Sequence, residues 1–127
     1  SMPWNGESAI YKMASIIQGV EAYAKSLSQV THPVLGQATA SIGRIKGGQT
    51  VNTVPALCSI ELDNRLLPGM TLQDILKGLK PYLGDPAGYR IEEPYLLAMG
   101  VENAIDAEHL KALVDACELE GIHPALQ

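Results

Sequence analysis

The sequence contains no phenylalanine and a single tryptophan. Aliphatic side chains must therefore fill most of any core. It has two cysteines, Cys58 and Cys117, which form no CxxC pair and have no histidine grouped beside them. Both read as reduced, buried, small apolar residues, which favours the cytoplasm. A basic stripe is also missing: nine Lys and Arg face fourteen Asp and Glu, for a net charge of −5. Nucleic acid is accordingly not an expected partner. No apolar run approaches the roughly 20 residues that span a bilayer. Ser1 to Asn5 carries neither a basic nor an apolar leader segment. A membrane is not expected as a partner either.

Chemical motifs are equally sparse. The three histidines, His32, His109 and His123, stand in unrelated contexts, and none has a second histidine at helical spacing. That arrangement offers no metal-ligand set. There is no GxSxG and no phosphate-cradling loop. Glu92 and Glu93 are adjacent, so on a strand they point to opposite faces and do not form a carboxylate pair.

What is present suffices for one folded domain of 127 residues. Ile10, Met13, Ala14, Ile17, Val20, Ala24 and Leu27 recur at steps of three and four, which predicts a helix from Glu7 to about Ser28. His32-Pro33 ends it as an extended connector. Residues 37–46 alternate as a strand, and Gly47-Gly48 predicts a turn or bulge. The return strand sets Ala56, Cys58, Ile60 and Leu62 on one face and Ser59, Glu61 and Asp63 on the other. Thr71-Leu72-Gln73-Asp74 resembles a capping box and opens a second helix through Leu83. Tyr89 to Glu93 predicts a short last strand. Leu96 to Ile105 reads as a loop. A third helix runs from Asp106 to Gly121, with Leu110, Leu113, Val114 and Cys117 on one stripe.

This order predicts an α+β fold: a ferredoxin-like two-layer sandwich with two helices on one face of a small antiparallel sheet, plus a C-terminal helix. Residues 1–95 form the domain, and 96–127 a linker and helix.

Two polar residues are left over. Asn52 sits at the crest of the hairpin and Arg65 near the end of the return strand. Asparagine offers a donor and an acceptor at one point, and arginine a planar fork that fits a carboxylate. Together they suit an amino-acid-like ligand. Spacing alone equally allows a plain turn at Asn52 and an Arg65 paired with Asp63 or Glu61 on the wet face.

Four stretches carry a resemblance. Ser1 to Ile10 resembles a helix start of the pattern HSSxPxxGxNAI. His32 to Gly36 resembles hPxLG, Gly47 to Pro55 resembles GGxxxNxVP, and Asp63 to Gly69 resembles DxRxxPG. In this order they resemble the lid or dimerisation domain of the M20 family of metallopeptidases and amidohydrolases. That family includes acetylornithine deacetylases, succinyl-diaminopimelate desuccinylases and carboxypeptidase G2-like enzymes. The resemblance implies the dimerisation domain of a hydrolase acting on N-acyl amino acids or small peptides. It implies substrate-binding roles for Asn52 and Arg65, and a homodimer through a strand edge and the first helix. It also implies two zinc (or cobalt) ions in a separate catalytic domain, with no metal and no catalytic residue in this segment. The isolated chain is then expected to be inactive. The family's pattern opens with a strand and a histidine that this sequence lacks, and Ser8 stands where the family prefers asparagine. The sheet expected here therefore has three strands. The competing expectation is a free-standing ferredoxin-like interaction module without hydrolase activity.

Overall fold

The computed structural model describes residues 6–98, 100 and 108–124. The Ser1 to Asn5 part of the helix-start motif, residues 99 and 101–105 of the expected Leu96 to Ile105 loop, and the start of the third helix at Asp106 lie outside the described residues.

Helix α1 spans Ala9–Ser26 and runs into a 3-10 turn at Leu27–Gln29. Val20, Tyr23 and Leu27 are buried along it. Tyr23 lies off the expected stripe. The core-facing side is rotated toward it, so that Ala14 is exposed and Ile10 is 41% exposed. A polarisable ring that can pack edge-on makes this possible: Tyr23 sits 6.0 Å from the ring of Tyr82, tilted by 56°.

The His32-Pro33 connector is itself structured. Strands β1 (Thr31–His32) and β2 (Gly36–Gln37) pair antiparallel around Pro33 to Leu35. His32 Nδ1 accepts from the backbone N–H groups of Val34 and Leu35, each at 3.2 Å. The ring thereby replaces the partners that a tight turn would leave unpaired.

Strands β3 (Thr39–Gly47) and β4 (Cys58–Arg65) form the main antiparallel ladder, from Thr39 opposite Arg65 to Gly47 opposite Cys58. The bulge lies between Ile42 and Arg44, at Gly43, and not at Gly47-Gly48. Gly48 turns the chain instead, with φ of +75°. Along β4, half-buried Cys58, Ile60, Leu62 and Asn64 alternate with exposed Ser59, Glu61, Asp63 and Arg65, as the period of two requires.

Helix α2 (Leu72–Leu79) opens on the expected capping box. Thr71 N–H donates to Asp74 Oδ2 at 2.8 Å, and Asp74 N–H to Thr71 Oγ1 at 3.2 Å. Pro81 tightens its end into a 3-10 turn at Lys80–Tyr82. Helix α1 crosses the inner face of β3 and touches α2, and the core gathers Val20, Tyr23, Leu27, Ala38, Leu67, Leu79 and Leu83. The architecture is the α+β two-layer arrangement expected.

Three expectations are corrected. Tyr89 to Glu93 is not a strand, and the described residues hold two separate two-stranded sheets rather than one of three strands. A strand exists only with a neighbour to share its ladder. Tyr89 packs against the core, but residues 90–93 share no ladder with any strand among the described residues, and Arg90 pairs with Glu92 instead. The cysteines are both free but half-buried rather than buried.

Helix α3 (Glu108–Leu119) ends in a Schellman motif. Ile122 N–H reaches Cys117 O at 2.9 Å and Gly121 N–H reaches Glu118 O at 3.0 Å, with Gly121 at φ of +74°. Leu110, Val114 and Cys117 are half-buried on it, while Leu113 is 61% exposed.

Candidate functional site

The β3–β4 connection is built by short-range bonds. Thr53 N–H donates to Thr50 O at 3.4 Å, and the two threonine hydroxyls share a bond of 2.7 Å. This turn lifts Val51 and Asn52 into solvent. Pro55 O then accepts from Ala9 N–H at 2.9 Å, which fastens the crest to the first turn of α1. Between them lies an open cleft of about 370 Å³, lined by Gly6, Ser8, Ile10 and Tyr11 on one side and by Gly48 and residues 50–55 on the other. Ser8 stands at the helix N-cap without a side-chain bond to the backbone. Sequence reasoning did not single out Ser8, Tyr11 or Val51 as cleft residues. The signal was their place beside two glycine-marked turns.

Arg65 lies at the other end of the ladder, on the outer face. Its Nε is 3.7 Å from Asp63 Oδ2, and its side chain is 83% exposed. That contact is a long, solvated one, worth little. Glu61 is paired with Arg44 across the strands at 3.3 Å, and so does not hold Arg65. The guanidinium fork of Arg65 remains open to solvent.

Two of the four sequence motifs thus meet. The helix start and the GGQTVNTVP crest share the cleft at one end of the hairpin. At the other end Thr39, which follows the β1–β2 hairpin, stands opposite Arg65 of the DNRLLPG stretch. Residues 1–89 match the family model described as the peptidase dimerisation domain.

The chain belongs to this M20 dimerisation-domain family.

Its relatives include acetylornithine deacetylases. That of Edwardsiella ictaluri (strain 93-146) is 37% identical over 78 residues, covering 59% of this chain and 20% of that protein. Those of Proteus mirabilis (strain HI4320) and Yersinia pestis are 35% and 33% identical over the same shares. The chain spans about a fifth of the length of these relatives.

In this dimerisation domain the two polar residues are not neighbours. Seven residue steps of β4 separate Cys58 at the crest from Arg65 at the base. Asn52 and Arg65 are therefore more than about 20 Å apart within one chain. One protomer cannot bring both to a single small ligand. Among the described residues no three His, Cys, Asp or Glu side chains gather as metal ligands. No helix among them is long and apolar enough to cross a membrane.

Proposed function

We propose that this domain joins two copies of a metal-dependent amidohydrolase that cleaves N-acyl amino acids or small peptides, and that it presents Arg65 and Asn52 to the substrate. The family match, with relatives named acetylornithine deacetylase, is the observation that carries this reading. Zinc or cobalt ions belong, in this reading, to a catalytic domain outside the segment, where metal polarises the amide carbonyl and supplies hydroxide. The isolated chain then hydrolyses nothing. The free thiols Cys58 and Cys117 fit a reducing cytoplasm.

The dimer forms through the outer edge of β3 and the flank of α1. There Ile17, Val20, Glu21, Ala24, Ala40 and Ile42 line an open, largely apolar groove of about 260 Å³. Antiparallel pairing of β3 with its copy about a twofold axis would cover both grooves and satisfy both edges.

The separation of Asn52 from Arg65 adds a consequence. If both touch one ligand, Arg65 comes from one protomer and Asn52 from the other. Mixed dimers of a full-length enzyme carrying this domain test the point. Arg65→Ala and Asn52→Ala homodimers should each lose activity. A heterodimer of the two should regain about half, because one of its two sites keeps both residues. A heterodimer as inactive as its parents would reject sharing across the dimer. Unchanged kinetics in both single variants would reject the substrate roles themselves.

A further inference from the structure

A copy docked on the outer edge of β3 has little of that strand to use. Upstream, Ala38 is 4% exposed and its N–H donates to Val30 O at 3.0 Å, so the chain before Thr39 is tied into the core. Downstream, the bulge between Ile42 and Arg44 breaks the regular pleat. The apolar groove has the same limits. Of β3 it touches only Ala40, Ser41 and Ile42, beside Ile17, Val20, Glu21 and Ala24 of α1. From Gly43 to Gly47 every residue of β3 is exposed. The faces of the strand narrow the choice further. Antiparallel strands set residues of the same face opposite each other. About a twofold axis this requires that one residue meet itself. An axis at Ala40 would set Ile42 opposite the buried Ala38. An axis at Ile42 would set Ala40 opposite Arg44, which the bulge has placed on the outer face beside Glu61. An axis at Ser41 sets Ala40 opposite Ile42 of the copy, apolar on apolar in both grooves.

We propose that the twofold axis of the dimer passes through Ser41, which faces its own copy, and that the bulge at Gly43 ends the shared ladder and so fixes this register. The inference rests on the dimer reading above and names the residue on which that dimer is centred. It has a consequence for the site. Arg65 stands opposite Thr39, two residues from the axis. Antiparallel pairing therefore sets the Arg65 end of one copy toward the crest of the other, where Asn52 lies.

Cysteine placement reads the register directly. A disulfide needs Cα atoms about 4.4–6.8 Å apart, the spacing of residues directly opposite in a ladder. On this axis residue 41 meets its copy at that spacing, while residues 39 and 46 lie more than about 12 Å from theirs. In the 127-residue chain with Cys58→Ala and Cys117→Ala, Ser41→Cys should form a covalent dimer under mild oxidation. It should do so about tenfold faster than Thr39→Cys or Lys46→Cys. Sedimentation of the native chain is measured alongside. A dimer that cross-links faster at 39 or 46, or at none of the three, would overturn the register and leave the dimer standing. A native chain that stays monomeric would overturn the dimer and the register together. A second measurement keeps both native cysteines. Ser41→Lys and Ser41→Asp chains should each dimerise more weakly than the native chain, because like charges meet on the axis. Their mixture should dimerise more tightly than either alone. A mixture no tighter than its parents would reject Ser41 as the residue that faces itself.

Discussion

At Asp74 a single carboxylate both caps a helix and links stability to pH. The Thr71 hydroxyl and backbone N–H hold its pKa below the ordinary aspartate value. The folded state therefore favours the charged form. Its contribution is complete above about pH 3.9, the unfolded value, and is lost as pH falls through the lower folded value. The urea midpoint of the native chain should drop between pH 5 and pH 3 by more than that of Asp74→Asn. Parallel pH profiles for the two would remove the cap from the account. Thr71→Ala should cost about 1 kcal/mol at neutral pH. Tyr23 acts in the opposite sense. Burial raises its pKa, so its contribution holds below the unfolded value near pH 10 and fades as pH rises above it. Tyr23→Phe should flatten the alkaline limb of stability, and an unaltered limb would contradict this. At the same scale, Arg65→Ala in a full-length enzyme should lower kcat/KM by an amount corresponding to about 1.5–3 kcal/mol, while the melting temperature barely moves, since its contact with Asp63 is long and solvated.

Among the elements, the contact of α1 with the turn after α2 leaves no room. A Cβ on Gly19 would lie 2.0 Å from the carbonyl oxygen of Tyr82. Gly19→Ala would normally gain up to about 1 kcal/mol of helix propensity. Here it should destabilise, because backbone must move. Gly43→Ala, with nothing within 4 Å, should melt close to the native chain. Thermal unfolding of the pair decides it: equal melting temperatures would mean that α1 and the 80–82 turn are not packed so closely. The same elements show what was legible beforehand. Helices α1 and α2 and strands β3 and β4 were readable, because periods of 3.6 and 2, and a Thr-x-x-Asp cap, are local signals. The β1–β2 hairpin was not, because it rests on His32 accepting two backbone N–H groups. The failed strand at 89–93 had strand-like residues, but a ladder is a property of two segments, and the sequence of one cannot report the other. Asn52 and Arg65 were picked out by resemblance. Their separation became visible only with the register of β3 on β4.

For the whole molecule the telling feature is an unfinished surface. Among the described residues no side chain falls below 2% exposure, while Tyr11, Ile45, Val51 and Leu57 are largely exposed. Among the described residues neither edge of the main ladder has a further strand paired to it. A chain built this way completes its core against something else. In the proposed reading that something is another copy, as the description of the matching family as a dimerisation domain supports. Disrupting β3 at the groove should then separate the copies without unfolding them. Ala40→Asp places a charge on the apolar flank and should yield a folded monomer by circular dichroism and sedimentation. An unfolded chain would mean that Ala40 serves the core alone.

The central claim is that the β3 edge and α1 hold two copies together. Sedimentation equilibrium of the native chain at micromolar concentration measures this directly. The account predicts a mass of twice 13.6 kDa, falling to the monomer value in Ala40→Asp. A native chain that stays monomeric across that concentration range, or an Ala40→Asp chain that dimerises as well as the native one, would contradict it.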